Sequence, residues 1–190
     1  MNRAPASFAD TDLWVFGYGS LVWRPAFAHV RSAPARIEGW ARRFWQISTD
    51  HRGVPERPGR VVTLIKAPGK ICWGRVYEVA PADRAEVLDQ LDFREKGGYA
   101  RFRVPAFVRG LDGVTEVDAL LYLGTEDNPN FAGPETIEAV AAHVVGAVGP
   151  SGPNVEYVLR LETALAKIGG DDPYVTALAA EVRKRLDGPT

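Results

Sequence analysis

Apolar residues fall into short runs over the first two thirds of the chain and change to a helical period after that. The runs Leu13–Phe16, Ala41–Ser48, Val61–Ile65, Ile71–Val79, Ala100–Val108 and Val114–Tyr122 have the length and composition of strands. Residues Arg43 to Ser48 alternate with period two, which predicts one wet face and one dry face. Ala67-Pro68-Gly69-Lys70 and Leu111-Asp112-Gly113 carry turn chemistry and predict two hairpin turns. One helix is predicted among the strands. Pro81 opens it, Val87, Leu88, Leu91 and Asp92 keep its spacing, and Gly97 stops it. Beyond Tyr122 the pattern predicts three helices, Pro134–Val148, Pro153–Ile168 and Pro173–Leu186, the last introduced by Asp171 and Asp172. Strands followed by helices is an α+β order, and five or six mostly antiparallel strands of this length can close into a small barrel. No repeat or Pro/Gly linker divides the chain, so a loose tail over 1–11 and a single domain over 12–190 are expected.

Composition narrows the function classes. With 190 residues, 46% of them hydrophobic and 25% charged, the chain has the makings of an ordinary globular core. A net charge of −1 without a long run of one sign argues against nucleic acid or a membrane surface as partner, so a small-molecule substrate is expected. Cys72 is the single cysteine, which excludes an intrachain disulfide and a cysteine-based zinc site and fits a reducing cytoplasm. Its apolar setting, Ile71-Cys72-Trp73-Gly74, favours a small buried hydrophobe over a nucleophile. Met1–Asp12 lacks a signal pattern and no apolar stretch approaches the ~18 residues of a membrane span, so a cytoplasmic location is expected.

Two segments hold candidate chemistry. Gly17-Tyr18-Gly19-Ser20-Leu21 follows the strand-like run directly. One reading is a strand-ending turn that needs glycine for positive φ. The other is a loop whose bare backbone lets a ligand approach its N–H groups. A dinucleotide fold would need a third glycine and a helix start, which Trp23-Arg24-Pro25 does not supply, and no phosphate-binding P-loop occurs. Ser20 lacks the G-x-S-x-G setting of a nucleophile. In Leu91-Asp92-Phe93-Arg94-Glu95-Lys96-Gly97-Gly98-Tyr99, Glu95 reads either as a solvated partner of Arg94 or Lys96, or as a base. A carboxylate at a helix C-terminus is disfavoured, and burial there raises its pKa towards useful basicity. Asp50 and His51 are too few for a metal site, and they read as a polar positioning loop. Gly149–Tyr157 reads as a helix–loop–helix connection whose Asn154, Glu156 and Tyr157 reach a site edge. The five tryptophans are expected in the core.

Taken in order, several segments resemble the ChaC-like γ-glutamylcyclotransferases. They are Val15–Trp23, Arg43–Gln46, Ser48–Gly53, Pro58–Leu64, Trp73-Gly74, Leu91–Tyr99, Tyr122–Thr125, Asn128-Pro129 and Gly149–Gly152 with Asn154, Glu156 and Tyr157. The resemblance spans roughly residues 13 to 185. It implies the γ-glutamylcyclotransferase-like fold, a small mixed, mostly antiparallel barrel with packed helices. It also implies cleavage of glutathione into 5-oxoproline and cysteinylglycine. Glu95 then matches the catalytic glutamate of an R-E-x-G-G-Y segment. Tyr18, Gly19, Ser20 and Leu21 match the substrate-binding loop, flanked by Phe16 and Gly17, and Tyr99 matches the tyrosine after the glutamate. Asp50, Arg52 and Tyr122 are expected as substrate-facing or loop-supporting groups. No metal or organic cofactor is implied. Asp172-Pro173-Tyr174 departs from the acidic residue and histidine of many relatives, which is expected to touch only a peripheral detail. The alternatives are a cyclotransferase for other γ-glutamyl amines or amino acids, a noncatalytic γ-glutamyl-ligand-binding protein, and a cation-transport role that the lack of a membrane segment opposes. The sequence does not specify an oligomeric state, and a monomer is compatible with it.

Overall fold

The computed structural model describes residues 13–95, 98–110 and 113–188. The expected tail over 1–11, Gly97 as helix stop and the Leu111-Asp112 turn lie outside the described residues. Five strands close a barrel in the order β1-β3-β2-β4-β5: β1 (Leu13–Gly17), β2 (Arg31–Ser48), β3 (Gly59–Val79), β4 (Ala100–Gly110) and β5 (Gly113–Leu123). All neighbours are antiparallel except β1 and β5, which close the barrel in parallel through Trp14 opposite Ala119 and Val15 opposite Leu120. Helix α1 (Arg84–Arg94) follows β3, and α2 (Ile137–Gly146), α3 (Asn154–Lys167) and α4 (Pro173–Leu186) follow β5.

Strand β1 is buried on both faces, as its apolar run requires. Phe16 joins the large core with Phe44, Val62, Val76 and Leu121, which the helices complete with Val144, Leu161, Leu178 and Val182. Leu13 and Val15 join a second cluster with Tyr77, Leu120 and Tyr122, closed by Val87 and Leu91 of α1. At about 25 cal/mol per Å2, burying such side chains is the main force holding helices to barrel.

The strand runs are longer than their apolar content suggests. Val61–Ile65 and Ile71–Val79 are one strand, so Ala67–Lys70 is not a hairpin turn. Glu38 pairs with Ile71 and Trp40 with Lys66, which leaves residues 67–70 opposite Gly39 as a bulge. Gly39 and Gly69 both take positive φ there (79° and 77°), so the turn residues bend a strand instead of reversing it. Strand β2 also extends back to Arg31, through Pro34 and Gly39 that mask its character in the sequence. Pro81 opens a short 3-10 turn ahead of α1, and α2 starts at Ile137 because Thr136 caps it, accepting from the Ala139 N–H at 3.3 Å. Two-residue strands β6 (Val148–Gly149) and β7 (Gly152–Pro153) pair between α2 and α3, where a plain loop was expected.

Arg43–Ser48 does alternate. The dry face, however, carries Arg42, Phe44, Gln46 and Ser48, while Trp45 and Ile47 are only half-buried. A buried polar face on a barrel strand calls for partners: Arg42 bonds Tyr18, Trp73 and Asp172, Gln46 donates to Asn128, and Ser48 accepts from the Arg52 N–H.

Candidate active site

The turn after β1 is tightly held. A Cβ on Gly17 would lie 2.5 Å from the Cβ of Leu21, and one on Gly19 would lie 2.8 Å from the Tyr157 hydroxyl and 2.9 Å from Val62 Cγ2. Neither glycine takes a positive φ, so crowding, not left-handed backbone, excludes side chains here. This corrects the positive-φ reading of the motif. The carbonyls of the turn are all committed. The Tyr18 carbonyl accepts from Arg42 Nε at 2.9 Å, that of Gly19 from the Val22 N–H, that of Ser20 from the Trp23 and Arg24 N–H groups, and that of Leu21 from the Tyr77 hydroxyl. Ser20 and Leu21 open a 3-10 turn, Ser20–Val22, and its leading N–H groups have no partner inside it.

Arg42 anchors this arrangement. Its side chain is fully buried, pairs with Asp172 and donates a further hydrogen bond to the Trp73 carbonyl. Asp172 also caps α4, accepting from the Val175 N–H at 3.2 Å. The acid expected to be peripheral is therefore one residue removed from the glycine turn. The buried thiol of Cys72 lies close by, pushed up to about 11 by burial, as suits an inert hydrophobe.

Glu95 is the C-cap of α1, its N–H donating to the Leu91 carbonyl at 2.9 Å. Its carboxylate pairs with Arg94 Nε at 3.3 Å, and Arg94 Nη2 donates to Ser20 Oγ at 2.6 Å. One guanidinium thus ties the carboxylate to the glycine turn. The pair is not a solvated one, since the Glu95 side chain is only 19% exposed. Burial raises the Glu95 pKa above the ordinary glutamate value, Arg94 opposes that, and Asp50 adds to it.

Three tyrosines surround Glu95. Tyr18 donates its hydroxyl to the Tyr122 carbonyl at 2.8 Å, while Tyr99 and Tyr157 reach the same cavity from the segment after α1 and from α3. Burial raises all three, with Glu95 adding to each; Tyr157 is pushed up to about 12. All three are neutral donors at physiological pH. Tyr122 contributes its ring and carbonyl, because its hydroxyl donates to Asp92 at 2.6 Å on the outer side.

The other end of the site is charged. Arg52 is buried, sits 5.5 Å over the Tyr157 ring and donates to the Pro153 carbonyl and to Glu156 at 3.1 and 3.2 Å. Glu156 also pairs with Arg160. Asp50 and His51 are exposed, and the His51 carbonyl accepts from the Ser151 N–H, which joins their loop to the β6–β7 connection. Asn154 is wholly buried and exchanges two hydrogen bonds with the Arg60 backbone, fixing the start of β3 to α3.

A cavity of about 370 Å3 collects these groups. Phe16, Tyr18, Gly19, Ser20 and Leu21 line one wall. Arg52, Glu95, Tyr99 and Tyr122 line it as well, and Gly17 lies beneath the turn. The sequence did not single out Arg42 or Gln46, and it offered Arg94 only as a solvated partner of Glu95. The one available signal was an arginine and a glutamine on the face of β2 that alternation marks as dry. Among the described residues no three His, Cys, Asp or Glu side chains gather as metal ligands, and no helix is long and apolar enough to cross a membrane.

The chain is similar to known proteins. The chain is 42% identical over 174 residues to a glutathione-specific gamma-glutamylcyclotransferase 1 of Danio rerio, covering 90% of this chain and 88% of the relative. It is 41% identical to a gamma-glutamylcyclotransferase 2-3 of Arabidopsis thaliana, covering 92% and 90%. The crystal structure of a yeast gamma-glutamyl cyclotransferase specific to glutathione superposes with a TM-score of 0.85 at 35% identity, covering 92% of this chain and 97% of that one. The family model for ChaC-like protein matches residues 13–185, and with the barrel, the glycine turn and Glu95 in one cavity, the chain belongs to the ChaC-like family.

Proposed function

We propose that this chain is a glutathione-specific γ-glutamylcyclotransferase, a lyase that releases 5-oxoproline and cysteinylglycine. The observation that carries the reading is the meeting, in one cavity, of a buried carboxylate with raised pKa and a turn whose leading N–H groups have no partner within it. The relatives named for this activity support the substrate.

The chemistry is an intramolecular aminolysis. The turn N–H groups of Ser20 and Leu21 bind the α-carboxylate of the γ-glutamyl unit and hold it curled. Glu95 takes a proton from the α-ammonium. The freed amine attacks the γ-carbonyl carbon, forming the ring C–N bond. The bond to the cysteine nitrogen then breaks as Glu95 returns the proton to that nitrogen. The second proton of the ring nitrogen passes through Glu95 to the same amine, which leaves as its ammonium form. No water is consumed. Holding amine and carbonyl in contact supplies up to about 7–11 kcal/mol of the barrier, and the base a further 10²–10⁴-fold or so. Arg94 keeps Glu95 directed at the turn, and Arg52 holds the outer loop against α3.

Purified protein incubated with glutathione, and separately with γ-glutamyl-alanine, is expected to form 5-oxoproline from glutathione preferentially. Equal turnover of both assigns a general γ-glutamyl-amine cyclotransferase. Formation from neither overturns the proposal.

A further inference from the structure

We infer that the Tyr157 hydroxyl is a catalytic hydrogen-bond donor to the γ-carbonyl oxygen of the bound γ-glutamyl unit as that oxygen becomes an oxyanion. The inference rests on the cyclotransferase reading above. Of the three tyrosines around Glu95, Tyr18 has its proton committed to the Tyr122 carbonyl. Tyr157 is different. Its oxygen accepts a hydrogen bond from the backbone of Val62. Among the described residues neither it nor Tyr99 donates a hydrogen bond to a protein acceptor, and of these two it is Tyr157 whose hydroxyl stands against the Gly19 backbone. An accepted bond polarises the O–H and strengthens it as a donor. A buried hydroxyl with its proton unspent is costly unless a ligand takes it.

The hydroxyl is also aimed at the binding turn. It lies 2.8 Å from where a Cβ on Gly19 would stand, so a bare glycine is what lets it reach the floor of the site. Its ring is locked by edge contacts with Trp23 at 5.4 Å and Phe44 at 5.8 Å, and by the Arg52 guanidinium above it. A donor that cannot swing away costs no reorganisation when charge develops. Burial keeps it protonated at working pH, so it donates without transferring its proton. The electrons pushed onto the carbonyl oxygen by the attacking amine are stabilised there, and they return to expel the cysteinylglycine nitrogen.

The test is Tyr157→Phe, assayed with glutathione beside wild type and read as kcat and KM separately. The expected result is a kcat lower by about 10²–10³-fold, the scale for one oxyanion donor, with KM changed less than about threefold. Gly19→Ala should lose kcat in the same way, because its Cβ displaces the hydroxyl. The double variant should be little worse than the poorer single one, since both remove one interaction. An unchanged kcat in Tyr157→Phe overturns the assignment, and so does a raised KM with kcat retained, which marks a ground-state contact instead. Should the phenylalanine variant not fold, difluorotyrosine at position 157 reads the same contact. Its more acidic hydroxyl should bring the alkaline loss of kcat to lower pH, and an unmoved alkaline limb overturns the assignment. Wild-type protein that forms no 5-oxoproline overturns both this inference and the parent reading. An active wild type matched by Tyr157→Phe overturns this one alone.

Discussion

Asp92 and Glu95 stand three residues apart at the end of one helix, and the fold drives them in opposite directions. Asp92 faces outward, half-exposed, where it accepts the Tyr122 hydroxyl and a two-pronged contact from Arg101. Those hydrogen bonds, Tyr122 first, hold its carboxyl below the ordinary aspartate range. Glu95 turns inward beside a single arginine, and burial raises it. A carboxylate satisfied by donors in water is an inert charge. One that is desolvated and under-partnered is a stronger base. The same short stretch of α1 thus supplies a surface clamp on one side and the candidate chemistry on the other. The difference lies in what each side chain touches, not in residue type.

Paired substitutions break or sharpen this contrast. Glu95→Gln should retain the fold and lose at least about 10² in kcat, on the scale of a general base, while Asp92→Asn should stay within about twofold of wild type. Glutathione turnover checks both, and equal losses would dissolve the distinction.

Asp172 is the next probe, because it separates burial from contact with substrate. It is largely buried and charged, yet it acts through Arg42. Asp172→Asn strips the carboxylate from a fully buried guanidinium and should cost about 3 kcal/mol, the low end for breaking a buried pair. In a chain of this size that lowers Tm by several degrees, readable by calorimetry. Assayed well below Tm, it should lose far less kcat than Glu95→Gln.

The smallest effect is in pH dependence. The base must be unprotonated, so kcat/KM falls as pH drops through the Glu95 pKa. Burial puts that limb above the ~4.3 of an ordinary glutamate. Arg94 pulls the pKa down, so Arg94→Gln should carry the acid limb to higher pH. A limb that stays put or moves down would show that Arg94 does not govern the base.

Much of the barrel was legible from residues 13 to 123, because β-branched and aromatic runs and period-two alternation report local geometry directly. The helices after Tyr122 were legible for the same reason, with Pro173 and Asp172 marking a start that the structure keeps. Strand β2 before Ala41 was not, since Pro34 and Gly39 interrupt its pattern and pairing to β3 and β4 makes it a strand. Ala67–Lys70 has the composition of a turn whether the chain reverses or bulges. What joins it to Gly39 is a register set by two flanking strands.

Sequence by itself determined that the chain carries a glycine-bracketed turn, a glutamate near a helix end and the ordered segments of its family. These are local or linear properties, and nothing distant can change them. Tertiary structure alone decided which carboxylate is dry, which tyrosine hydroxyl meets the glycine turn, and that Arg42 joins Tyr18, Trp73 and Asp172 from three separate parts of the chain. Desolvation and hydrogen-bond partnership depend on groups remote along the chain. They come into being only when the barrel closes and the helices cover it.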